Sequence, residues 1–229
     1  MLLADVVATS HAVAATRSRT AKVTALAELL RGLNEPDEVA TVTSYLAGAL
    51  RQRRTGLGWR SLSDLPPPAD EATLTVREVH AAFEAMSTMS GAGSQAARAA
   101  ATSALFGRAT ADEQTWLRSI VTGEVRQGAL DSLVQDALAV AGGVPAASVR
   151  RAAMMAGSTV DIAVAALTGG EEALAAFVLQ VGRPVLPMLA SSAGSVTEAM
   201  AKAGGGTVAI DSKLDGVRIQ VHRRGDEVL

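Results

Sequence analysis

Cysteine is absent from this chain of 229 residues, which excludes disulfides and cysteine-ligated metal sites within it. Aromatic residues are scarce at 3%, while apolar residues reach 48%, with alanine supplying much of that share. Helices packed closely through small side chains are therefore expected, with few large anchors. A basic excess is missing too. The formal charge of −2 gives no overall footprint of a nucleic-acid binder, so any such contact must come from local patches. No run approaches the ~18 uninterrupted apolar residues of a membrane span, and the N-terminus lacks a basic stretch followed by an apolar one. The expectation is a soluble, cytoplasmic protein without membrane contact. The three histidines, His11, His80 and His222, are too scattered to suggest a metal site.

Strand signals are nearly absent before residue 203, where amphipathic helical patterns follow one another. Arg17 to Arg31 carries Val23, Leu26, Leu29 and Leu30 at helical spacing and is stopped by Gly32, a residue suited to the left-handed position after a helix. Pro36 suits the first position of the next helix. Thr75 with Glu78, Thr110 with Glu113 and Ser195 with Glu198 have capping-box spacing, so three helix starts are predicted there. Pro66-Pro67-Pro68 reads as an extended connector, and a larger break falls at 181–190, where Pro184 and Pro187 force an extended path. Met154-Met155 and the Val134, Leu138, Val140 group read as core. The fold class is mainly α, an irregular multi-helix array followed by the first β-strands of an incomplete sheet.

Those strands begin after Gly204-Gly205-Gly206. From Thr207 the period becomes two, with Val208 and Ile210 on one face and then Val217, Ile219 and Val221 on one face. Arg224-Gly225-Asp226 reads as a hairpin turn. Between the two alternating runs lies Lys213, in the spelling Lys-x-Asp-Gly-x-Arg that ends at Arg218. A lysine held between strands and shielded from water can have its pKa lowered, which frees its amine for attack near neutral pH. The competing reading is a solvated Lys-Leu-Asp-Gly turn. An unfinished sheet leaves open edges and apolar faces, so residues 207–229 are expected to be poorly soluble or disordered.

Upstream, Gly93-Ser94 just ahead of a helix leaves backbone N–H groups pointing outward with the helix dipole behind them, a ready anion site. Arg98, one turn on, is placed to add a charge-assisted contact. Gly123 to Gly128 forms a glycine-bounded turn presenting Arg126. Two such sites on one face would suit a duplex backbone. Taken alone, Gly93 and Gly123 read more readily as helix punctuation and Arg126 as a surface charge. Arg51, Arg53, Arg54 and Arg60 form the densest basic cluster, read either as a phosphate contact or as a solvated helix end.

Taken together, Gly91-x-Gly93-Ser94-Gln95 with Arg98, Leu105-Phe106, Trp116-Leu117, Gly123-Glu124-x-Arg126-x-Gly128, Val149-Arg150-Arg151-Ala152 and Arg183-Pro184-x-x-Pro187-Met188-Leu189-Ala190 resemble, in order and spacing, the N-terminal half of ATP-dependent DNA ligases. The likeness is greatest to the actinobacterial ligases of the B type and spans essentially the whole chain. It implies a helical DNA-binding domain over 1–180, a linker and short helix over 181–206, and the start of an ATP-grasp-like adenylation domain over 207–229. It further implies that Lys213 is the nucleophile forming lysyl-AMP. Arg218 would contact the nucleotide or the nick, and Asp211, one methylene shorter than the glutamate usual at that place, would recognise the adenine amino group. Gly93, Ser94, Gln95, Arg98, Arg126 and Gly128 match the family's DNA-binding loops. ATP and nicked double-stranded DNA are the implied partners of a monomer that serves replication, repair and recombination. Mg2+ is implied as well, although its carboxylate ligands belong to motifs not found here. A ligase fragment that cannot itself seal a nick is therefore expected.

Three rivals stay open. One is a non-catalytic helical duplex-DNA-binding module with a vestigial nucleotidyltransferase stub. The others are a structural helical protein with a chance motif, and an RNA ligase or capping-type enzyme.

Overall fold

The structure is a computed structural model that describes residues 1–125, 131–187, 192–204, 206–212, 216–217 and 219–229. Helices α1 (Leu3–Ala15), α2 (Arg19–Arg31) and α3 (Pro36–Leu46) come first. A 3-10 turn, Trp59–Leu62, is the only helical element between α3 and α4 (Val76–Thr88). Then come α5 (Ser94–Phe106), α6 (Ala111–Thr122), α7 (Asp131–Gly142) and α8 (Ala146–Ala156). Helix α9 (Thr159–Val164) runs into a π turn, Ala165–Gly169, and α10 (Gly170–Ala175) follows. The tail holds α11 (Val196–Lys202) and the strands β1 (Arg223–Arg224) and β2 (Glu227–Val228).

Local chemistry sets most helix starts. Thr75 and Glu78 close a full capping box on α4, and Thr110 and Glu113 close one on α6. Pro36 occupies the first turn of α3, as its missing N–H predicts. Ser18 Oγ accepts the Ala21 N–H, so α2 starts two residues later than its sequence pattern suggested. Gly32 ends α2 in the right-handed region at φ −76°, because its N–H donates to the Leu29 carbonyl and the Leu33 N–H to the Leu30 carbonyl without a left-handed turn. At α11 only half the box forms. Ser195 Oγ accepts the Glu198 N–H, but the Glu198 carboxylate turns to the Gly194 N–H and to Lys202.

One contiguous core joins α1 to α10. Leu26 and Leu30 of α2 pack along α7, where Val134 and Leu138 are buried, and α3 packs on α9. Small side chains do allow close approach. A Cβ on Gly142 would sit 1.9 Å from the Ala166 carbonyl oxygen, so the end of α7 backs directly onto the π turn. At the rim, Asp136 of α7 accepts from Arg19 at 2.6 Å and Arg150 at 2.5 Å, tying α2 and α8 to it. Val140, expected in the core, is 47% exposed because it lies on the outer face of α7.

The largest departure from expectation is the helix-poor segment 47–75. It is pinned by Thr55, Leu62 and Leu74, each buried, and not by periodic contacts. The alternating run 207–221 is likewise not paired into strands among the described residues. Only the hairpin at Gly225 forms there, with Arg223 opposite Val228 and Arg224 opposite Glu227. Ile210, Val217, Ile219 and Val221 are exposed. The linker before it is anchored: the Leu186 N–H donates to the Met154 carbonyl at 3.1 Å, and the Gln220 side-chain amide bonds both the N–H and the C=O of Val185.

Candidate nucleic-acid interface

Gly93 is the N-cap of α5 and takes the left-handed conformation, φ 82°, which a side chain would resist. Ser94 begins the helix and its N–H is taken by the Gly91 carbonyl at 3.3 Å. Among the described residues none accepts from the Gln95 or Ala96 N–H, so two donors at the positive end of a 13-residue helix face outward. Gln95 is exposed beside them.

Arg98 points elsewhere than the sequence suggested. Its guanidinium donates to the Met89 carbonyl at 2.7 Å and to the Met86 carbonyl at 3.4 Å, capping the end of α4. It also lies over Gly56, where a Cβ would come within 2.6 Å of Arg98 Nε. The contact expected between Arg98 and an anion at the start of its own helix is thus displaced by a structural one, because the Met86 and Met89 carbonyls at the end of α4 have acceptor capacity that the guanidinium fills. Arg98 binds α4, α5 and the loop before the 3-10 turn into one unit.

That unit encloses a cleft of about 550 Å³ running along α5 from Gln95 to Ser103, with Gly56 to Ser61, Asp64, Leu65 and Pro66 on the facing side. Trp59, 57% exposed, and Arg60 stand on the facing wall. Sequence reasoning passed over Trp59. Its signal was an aromatic residue set between glycines beside an arginine, in a chain with two tryptophans. Arg51, first of the basic cluster, turns away to Thr41 Oγ1 at 3.3 Å and Asp37 at 3.9 Å. Arg53, Arg54 and Arg60 are exposed, on a bent segment and a 3-10 turn, not a helix end.

Gly123 caps α6 in the left-handed conformation, φ 72°, while Arg126 and Gly128 lie outside the described residues. So do Lys213, Arg218 and the Met188-Leu189-Ala190 end of the linker motif. Asp211 is exposed in an irregular stretch. The structure therefore brings Gln95 and Arg98 together with Trp59 and Arg60. Among the described residues no group of three or more histidine or carboxylate side chains could hold a metal ion, and no helix is long and apolar enough to cross a membrane.

A mainly helical protein with an open helix N-terminus beside an arginine-bearing cleft offers donors and positive charge of the kind that suit anionic groups. Comparison with known proteins places it more narrowly. The model of the DNA ligase N terminus matches residues 61–139, and that of the ATP dependent DNA ligase domain matches residues 187–229. A probable DNA ligase of a Nocardioides species is 65% identical over 233 residues, covering all of this chain and 46% of that protein. One from Kineococcus radiotolerans is 65% identical over 225 residues, covering 97% and 44%, and one from Streptomyces griseus is 53% identical over 228 residues, covering 100% and 44%. The chain belongs to the ATP-dependent DNA ligase family. It spans a little under half the length of these curated relatives.

Proposed function

We propose that the helical part of this chain, 1–180, grips nicked duplex DNA, and that 207–229, joined by the linker 181–206, opens the adenylation domain of an ATP-dependent DNA ligase. The observation that carries the DNA grip is the N-terminus of α5, where Gly93 holds two backbone donors open beside Gln95 and the arginine-bearing cleft. Backbone N–H groups and arginines suit phosphates, which position a protein on DNA without reading sequence. Gly93, Ser94 and Gln95 would cradle a phosphate, Arg126 and Gly128 would hold a second, and Arg98 would position the first while adding charge to the cleft.

For the whole protein the proposed chemistry follows the family. The amine of Lys213 attacks the α-phosphate of ATP, forming a lysyl-AMP phosphoramidate and releasing pyrophosphate. AMP then passes to the 5′-phosphate at the nick, and the 3′-hydroxyl displaces AMP as it forms the phosphodiester. Asp211 would recognise adenine and Arg218 the nucleotide or the nick. Among the described residues no group of three or more histidine or carboxylate side chains could hold the Mg2+ that the family implies. The setting is cytoplasmic, in replication, repair and recombination.

Binding of the chain to nicked, intact and single-stranded DNA across a salt series tests this. Duplex binding that weakens steeply with salt, and again with Arg126→Ala, is expected. A folded chain that ignores duplex DNA at low salt would overturn the proposal.

A further inference from the structure

The loop carrying Trp59 and Arg60 stands just before residue 61, where the match to the DNA ligase N terminus begins. Its charge is distinctive for a chain of net −2. Residues 39–63 and 85–111, which supply most of the two walls of the cleft, contain no aspartate or glutamate, yet they carry Arg51, Arg53, Arg54, Arg60, Arg98 and Arg108. Arg51 is held by Thr41 and Arg108 by Glu78 at 2.8 Å. Among the described residues Arg53, Arg54 and Arg60 have no ion-pair partner. Asp64 is the single acidic side chain lining the cleft.

The wall is also rigidly supported. Leu62, one turn on from Trp59, is 1% exposed and anchors the 3-10 turn in the core. Ser61 Oγ accepts the Gly58 N–H and donates to the Gly58 carbonyl, both at 2.8 Å. Arg98 resting on Gly56 sets the spacing to α5. A large indole presented to solvent on such a support, among unpaired guanidinium groups, fits a ligand with both anionic groups and apolar flat or curved faces. A nucleic-acid backbone has both in its phosphates and sugars.

We propose that the Gly56–Arg60 loop is a second wall of the DNA grip, with Trp59 packing on the deoxyriboses of a duplex strand and Arg60 pairing with its phosphate. This rests on the reading of the chain as a duplex-binding ligase domain and adds to it a surface upstream of the family match. Arg53 and Arg54 extend the positive field along the same strand.

The chain reports on this itself, because Trp116 is 4% exposed and the acrylamide-quenchable emission belongs to Trp59. Labelled nicked duplex, intact duplex and single strands would be titrated by anisotropy while quenching is followed. Duplex is expected to protect Trp59 from acrylamide. Trp59→Ala should weaken duplex binding by about tenfold through lost apolar burial, with unchanged circular dichroism. Arg60→Ala should flatten the plot of log affinity against log salt by about 0.9, one phosphate contact, whereas Arg17→Ala on the α1–α2 turn should not.

Full duplex affinity in Trp59→Ala and Arg60→Ala, with Trp59 still quenchable in the complex, would overturn the proposal and leave the ligase-domain reading standing. No duplex binding by the parent chain would remove both. Protection of Trp59 by single strands in preference to duplex would overturn the duplex assignment.

Discussion

Arg98 on α5 donates to the Met89 carbonyl at 2.7 Å, so the last turn of one helix is closed by a side chain from the next. The same guanidinium lies over Gly56, whose φ of +72° and bare Cα let the loop pass beneath it. A residue expected to touch DNA thus first sets the distance between two walls of a cleft. Arg98→Ala should lower stability by about 1–3 kcal/mol, because charged hydrogen bonds to helix-end carbonyls are lost. Gly56→Ala should destabilise comparably through strain and overlap. Urea denaturation of both variants measures this, and no change in midpoint would refute the clamp.

Gly142 makes the closest approach between α7 and the π turn. Gly142→Ala would place a methyl 1.9 Å from the Ala166 carbonyl oxygen, on backbone that cannot rotate away. A loss of about 2–4 kcal/mol is expected, the range for overpacking that moves backbone. Gly58, with nothing within 4 Å of its would-be Cβ and φ −158°, is the contrast. Gly58→Ala should leave the thermal midpoint nearly unchanged, and equal losses in the two variants would contradict the packing described here.

Tyr45 is fully buried against Trp116, ring centroids 5.4 Å apart and edge-on. Its hydroxyl has no hydrogen-bond partner among the described residues, and burial pushes the phenol well above its ordinary pKa. Tyr45→Phe keeps the ring contact and removes an unsatisfied polar atom. Stability should be unchanged or rise by up to about 1 kcal/mol. A marked loss in calorimetry would mean the hydroxyl has a partner that matters.

Glu78 gives a pH signature. Its carboxylate accepts the Thr75 N–H at 2.9 Å, an Arg108 N–H at 2.8 Å and the Thr75 hydroxyl at 2.7 Å, and these bonds, the backbone one foremost, hold its pKa down to about 2. A carboxyl depressed on folding contributes stability above its unfolded pKa, about 4.5, and that contribution is lost as pH falls toward 2. The group is largely exposed, so solvent screening keeps the contribution below about 1 kcal/mol. Glu78→Gln should lose less stability than the parent chain between pH 4.5 and 2. Parallel pH profiles would exclude Glu78 as a source of the acid sensitivity.

The capping boxes at Thr75 and Thr110 were readable because they obey a rule spanning three residues, and Pro36 because its geometry is fixed in advance. The role of Arg98 was not, since it depends on where α4 ends and on the close approach of a loop some forty residues earlier. Segment 47–75 escaped for a similar reason: isolated buried residues hold it, and they leave no period. The alternation of residues 208–221 specifies two faces of a strand, but a strand also needs neighbours, and among the described residues of that tail only β1 and β2 pair. The candidate site divides the same way. Gly93, Ser94 and Gln95 lie at a helix start as the sequence suggested, while Trp59 emerged only once the cleft was visible. Lys213, Arg218, Arg126 and Gly128 are outside the described residues and stay as sequence readings.

The Gln220 amide offers Val185 one acceptor and one donor, as a neighbouring strand's peptide group would. The tail is thus docked to the linker by a graft of backbone chemistry onto a side chain, with a second tie where the Gly182 N–H donates to His222 Nδ1 at 3.2 Å. A peptide ladder must be unzipped along its length, whereas this joint lets go when two side chains, Gln220 and His222, change rotamer. The tail can therefore be swung clear of the linker without melting any helix, a hinge pinned by one glutamine and one histidine.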